Sequence, residues 1–214
     1  MKKANSLNQK TYLLKITEKT ELGKGVMLVA SGYIFCYMFM VPEGMTILDR
    51  GSTTSRIYFD HPILYWVWVI LACTAFFFNL DQMRRRYGMR QPSLAVFQYA
   101  AIVGLFTSVA VPTSLAEEPE TMSEYLHFWI HMGATMVCIF GGLFCVLFLF
   151  IYKMKEDKRF KKWFFGYLVF IISMLAVCAV FGLNGLMETI LVLGMMGVVY
   201  VLNHTNALPP EPGA

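Results

Sequence analysis

The stretch "HFWIHMGATMVCIFGGLFCVLFLFIYKMKEDKRFKK", residues 127–162, decides the fold. It opens on two histidines, runs without a formal charge from Met132 to Tyr152, and ends with six basic residues between Lys153 and Lys162. Crossing the hydrocarbon core takes about 20 apolar residues in a helix, and this run supplies them. Five more such runs flank it, so the six predicted spans are about 25–42, 62–80, 93–115, 125–152, 163–183 and 186–203.

The composition agrees. The 214 residues are 57% hydrophobic and only 15% charged, where a soluble domain carries about one quarter charged residues. The runs are continuously apolar and do not alternate with period two, which excludes a membrane β-barrel. Backbone polar groups in lipid must be satisfied within the segment, so each run is expected to be helical. The expected fold class is all-α, a polytopic transmembrane bundle of six spans. Residues 1–24 form an N-terminal cytoplasmic segment, 25–204 the membrane domain, and 205–214 a Pro-rich, disordered cytoplasmic tail. The polar, lysine-rich start carries no cleavable signal peptide, so the first span is expected to remain as an anchor.

Positive charge sets orientation. Sixteen of the 18 basic residues fall in the N-terminal segment, in the loop with Arg84, Arg85, Arg86 and Arg90, and in the loop from Lys153 to Lys162. Only Arg50 and Arg56 lie opposite, where Glu43, Asp49, Asp60, Glu117, Glu118, Glu120, Glu124 and Glu188 collect. Both termini are therefore expected in the cytoplasm, with the protein integral to the plasma membrane and its outer face acidic. Trp66, Trp68, Tyr125, Trp129 and Trp163 fall near span ends, as interfacial aromatics do. The basic excess then reads as topology and attraction to anionic lipid, with no nucleic-acid partner. Five cysteines inside spans read as packing residues. The acceptor tripeptide Asn203-His204-Thr205 falls on the cytoplasmic side and is expected to be silent.

On a helical wheel, His127, His131, Ala134, Cys138, Gly142 and Cys145 share one small-residue face, the kind that packs on other membrane helices. Trp129, Met132, Phe140, Leu143 and Leu147 lie opposite. Three readings of the histidine pair stay open: hydrogen bonds that fix packing, two zinc ligands one turn apart with His61 as a third, or contacts to a small ligand entering from outside. A haem held by His61 and one of the pair would use the same residues. Glu188 either satisfies the start of the last span, with Gly185 as cap, or faces the histidines as a partner. Asp60 stands beside His61 at the same rim.

The spans carry no charge at mid-depth, which weighs against ion-coupled transport. No phosphate loop, nucleophile elbow or Cys-x-x-Cys motif occurs. The outer histidine opening span four and the "NGLMETI" start of span six resemble a group of uncharacterised microbial six-span membrane proteins, distantly DRAM-like. That likeness would cover residues 25–203 and implies no particular activity. Ser123, His127 and His131 also give the Ser-x-x-x-His and His-x-x-x-His spacings of alkaline ceramidase and adiponectin-receptor-like zinc hydrolases. Here both motifs stand on one helix, and a seventh span is lacking. The expected function is binding of a lipid or small amphiphile in an outer-facing pocket lined by Asp60, His61, His127, His131 and Glu188, or service as an accessory subunit. The alternative is a zinc-dependent lipid hydrolase. Membrane lipids are the expected partners, with a packing helix or a second copy of the chain as a further one.

Overall fold

The computed structural model describes residues 2–41, 43–49, 52–89, 91–113, 121–182 and 184–208, with backbone alone for 2–18, 54, 55 and 57. Its elements are α1 Lys2–Tyr37, α2 Thr54–Asp60, α3 Pro62–Arg86, α4 Pro92–Ala110, α5 Met122–Lys153, α6 Lys158–Phe181 and α7 Gly185–His204. The described residues contain no strand. Helices α3 to α7 are each long and apolar enough to cross a membrane.

The first expected span differs. The apolar run at 25–42 is the end of a much longer helix, and it stops at Tyr37. Its apolar helical part, Gly25–Tyr37, rises about 20 Å at roughly 1.5 Å per residue, against a core about 30 Å thick. It is not among the five qualifying helices. It still lies along α3: Asn79 Nδ2 donates to Gly23 O at 2.8 Å near one end, and Tyr33 OH donates to Leu64 O at 2.9 Å near the other. The stripe Met27, Ala30, Ile34 and Tyr37, at helical spacing, is buried in that contact.

Local chemistry sets the helix starts. Pro62 and Pro92 begin α3 and α4, where a missing N–H costs nothing. Thr121 and Glu124 form a reciprocal capping box at α5. Asp157 caps α6, and the adjacent Arg159 guanidinium holds its carboxyl below the usual carboxylate range. Asn184, not the expected Gly185, caps α7: its Oδ1 accepts from Met187 N–H at 3.0 Å. An amide oxygen can reach that donor, whereas glycine has no side chain to offer. Gly185 answers to a different need, since a Cβ there would strike the Ser52 carbonyl.

The closest pairing is α4 on α5. A Cβ on Gly104 would lie 2.7 Å from the backbone of Ala134 and Cys138, and one on Gly141 2.8 Å from that of Phe97 and Ala101. The two backbones touch, as small residues permit in membranes. The expected face of α5 is largely realised: His131, Ala134, Cys138, Gly142 and Cys145 are buried, and Trp129 and Phe140 are exposed. Two residues break the pattern. Leu143 is buried in the core, and His127 stands exposed one turn beyond the last packed residue.

Contacts sort the loops onto two ends. At the basic end Arg86 bonds Asn203 and Thr205, and the Tyr87 ring meets Phe160 at 5.6 Å. At the acidic end the loop before α2 folds over the start of α7, with Ile47 O accepting from Leu186 N–H and Ser52 Oγ from Gly185 N–H. Glu117, Glu118, Glu120, Arg50 and Arg90 lie outside the described residues, as do 209–214 of the expected tail. The start of that tail packs: Leu208 is fully buried. All five cysteines are free thiols.

Substituting Gly141→Leu is expected to separate α4 from α5 and cost about 2–3 kcal/mol. Gly133→Ala, whose Cβ meets nothing within 4 Å, serves as the neutral control. Thermal unfolding of the two variants in detergent reads the difference.

Candidate functional site

At the acidic end the expected site residues part company. His131 is buried, and its Nδ1 lies 2.7 Å from Ser108 O and 2.9 Å from Val111 O. Both neighbours are acceptors, so Nδ1 carries the proton and Nε2 the lone pair in the neutral ring. The two carbonyls belong to the last turn of α4 and to Val111, its C-cap, where the terminal C=O groups have no intrahelical partners. His131 thus closes the end of α4 from the face of α5. Anchoring Nδ1 on carbonyls is also how metal-bound histidines are oriented, so the ring alone is compatible with either role.

A zinc site needs companions. Among the described residues no group of three His, Cys, Asp or Glu side chains is close enough to hold a metal ion. His61 is exposed at the residue before α3, and His127 is exposed near the start of α5. Their helices are not principal neighbours, because α4 packs between α3 and α5. Among the described residues, then, His61, His127 and His131 do not form such a group.

The two other expected residues are Asp60, exposed at the end of α2, and Glu188. Glu188 is half-buried in the first turn of α7. Tyr33, Tyr37, Tyr65 and Trp68 form a stacked ladder with ring centroids 6.0–6.2 Å apart, and Tyr58 of α2 meets Tyr65 edge-on at 5.5 Å. The pairing of Tyr33 with Tyr37, four residues apart on one helix face, was the available sequence signal. Beneath the ladder, a cavity of about 40 Å³ with an apolar lining separates Trp68 from Cys138, Leu143 and Met195. An apolar cavity of this kind stays dry, and Trp68 Nε1 has no hydrogen-bond partner among the described residues.

The basic end holds a polar junction that composition conceals. Asn79 is fully buried and donates to Gly23 O and Ala75 O, while its own O accepts from Asn203 Nδ2 at 2.7 Å. His204 Nε2 lies 3.0 Å from Asn79 Oδ1. Tyr87 OH donates to Leu202 O at 2.9 Å, and Arg84 bonds Gln98. These bonds tie α1, α3, α4 and α7 together. Asn203, the glycan-acceptor asparagine of the sequence, is therefore a buried packing residue.

Nearby, a lateral groove of about 480 Å³ runs between α6 and α7. Lys162, Trp163, Gly166 and Phe170 line it from α6, and Gly194 and Val198 from α7. Helix α6 is the least buried of the five long apolar helices, showing Phe165, Val169, Ile172 and Leu175 to the outside. The sequence signal for this feature was Gly166 and Gly194 on facing helices with Lys162-Trp163 above them.

No family model, no curated protein and no solved structure matches the chain.

Replacing His131 with Phe is expected to cost about 1–3 kcal/mol, because two carbonyls at the end of α4 lose their donor in a buried setting. His127→Ala should leave stability within about 0.5 kcal/mol, as an exposed position does. Thermal unfolding of both variants checks the assignment.

Proposed function

We propose that this chain is an integral membrane protein without catalytic activity, and that it holds a bilayer lipid in the cleft between α6 and α7. The observation carrying the reading is the groove itself. Its volume lies within the roughly 300–1,000 Å³ typical of ligand pockets, its walls are mostly apolar, and it opens sideways along the most exposed helix. A ligand entering there comes from the hydrocarbon phase, so it is a lipid and not a solute.

This reading moves the ligand from the acidic rim, where the outer-facing pocket was expected, to the basic end. At the rim His131 is engaged with α4, while Asp60, His61 and His127 are exposed. The proposal includes a sixth crossing by α1, which spans the height of α3 from Asn79 to Leu64, and cytoplasmic termini under the positive-inside rule in the plasma membrane.

Protein purified in mild detergent is expected to retain about one lipid per chain, measured by extraction and mass spectrometry after size exclusion. Gly166→Leu should fill the groove and abolish that retention without lowering the unfolding temperature, since a Cβ at Gly166 meets nothing within 4 Å. Equal lipid content in the two proteins would count against the reading. Separately, epitope tags at either terminus should be protected from protease added outside intact cells; cleavage of one tag would refute the orientation.

A further inference from the structure

Building on the lipid-binding reading, we infer that the groove selects an anionic glycerophospholipid, with Lys162 at the lipid phosphate and one acyl chain along Gly166 as far as the Phe170 ring. Three observations converge on that ligand.

The first is depth. Lys162 and Trp163 lie in the first turns of α6, at the end of the bundle where the basic loops gather. From Lys162 to Phe170 the helix rises about 12 Å at roughly 1.5 Å per residue, close to half of a hydrocarbon core about 30 Å thick. The cleft therefore runs from headgroup depth to about mid-bilayer. Trp163, an amphipathic ring, lines it where such rings sit at an interface.

The second is shape. Gly166 leaves open space on the α6 side, and the Phe170 ring lies directly against Gly194 on α7. Phe170 forms the inner end of the channel, and Gly166 keeps its upper part wide enough for a methylene chain. Tyr167 is buried, with its hydroxyl turned to Leu143 O at 3.5 Å, so it presents only ring to the groove.

The third is charge. Lys162 is exposed and makes no ion pair among the described residues. The two acids nearest in the chain are occupied elsewhere: Glu156 pairs with Lys153 at 2.7 Å, and Asp157 with Arg159 at 2.7 Å. Lys158 and Lys161, one turn or less away on α6, add positive potential. A cation with no carboxylate beside it, at the polar mouth of an apolar channel, complements a phosphate that carries a net negative headgroup. A zwitterionic headgroup brings its own ammonium into this field and loses the advantage. Each basic residue near an anionic membrane surface contributes an affinity factor of about five-fold.

Delipidated full-length protein in detergent is titrated with phosphatidylglycerol, with phosphatidylcholine of the same chains, and with inorganic phosphate, and bound species are counted by native mass spectrometry. Phosphatidylglycerol is expected to bind several-fold more tightly than phosphatidylcholine, and inorganic phosphate should neither bind nor displace it. Lys162→Gln should lower phosphatidylglycerol affinity about five-fold and leave phosphatidylcholine unchanged, and Lys162→Arg should restore the preference. Gly166→Leu and, from the opposite wall, Val198→Trp should remove both lipids. Equal binding of the two lipids by the wild type would overturn the anionic selection while leaving lipid binding intact. Undiminished binding in both groove-filling variants would overturn the site altogether, and displacement by inorganic phosphate would reduce it to an anion site without a chain.

Discussion

The backbone-to-backbone contact of α4 and α5 is the constraint on which the rest of the bundle depends. With Gly104 and Gly141 at the crossing, the axes come close enough that no side chain separates them. That proximity brings His131 within hydrogen-bonding distance of the last turn of α4 and lets Cys145 Sγ approach Leu94 O. Phe140 and Trp129 of α5 face away from the core. In lipid the hydrophobic effect does not draw helices together, so packing of this kind and interhelical hydrogen bonds must do so.

The strongest interhelical hydrogen bonds act near the two ends, with longer contacts between them such as Ser31 Oγ to Met196 Sδ at 3.4 Å and Tyr167 OH to Leu143 O at 3.5 Å. Arg86 on Asn203 O and Thr205 O at the end of α7, and His131 at the end of α4, satisfy carbonyls that the helices leave open, while Asn203 Nδ2 adds a bond to a carbonyl within α3. Individually such bonds in membrane proteins average only about 0.6 kcal/mol. Their value lies in register: each joins residues far apart in sequence and admits only one axial offset between the helices. The polar residues of this chain thus report on assembly more than on chemistry.

This explains what could and could not be read beforehand. Apolar runs and flanking charges are local properties, so the five long helices were legible, as was the burial of Ala134, Cys138 and Cys145. The limits of α1 were not, because Lys24 and the residues before it have helical propensity that apolarity does not measure. The convergence of His61, His127 and His131 was inferred from a shared rim, but a rim is a ring. Two residues can stand at the same height and still belong to helices that are not principal neighbours, as α3 and α5 are not. Asn79, Asn203 and His204 look like ordinary polar punctuation at span ends, and only the fold puts them in contact. The groove was equally hidden, since it is made by the space that two helices leave between them.

One consequence follows from the turn between α6 and α7. Gly182, at φ 76°, and Asn184 join the two helices by a very short link at the acidic end, while Lys162 and Trp163 line the cleft at the other. On the proposed membrane placement the pair is joined in one leaflet and carries its groove in the other. Lateral pressure in the leaflet around Lys162 does work on the gap, whereas the same pressure in the opposite leaflet meets a closed joint. The molecule accordingly couples to the two halves of its bilayer unequally.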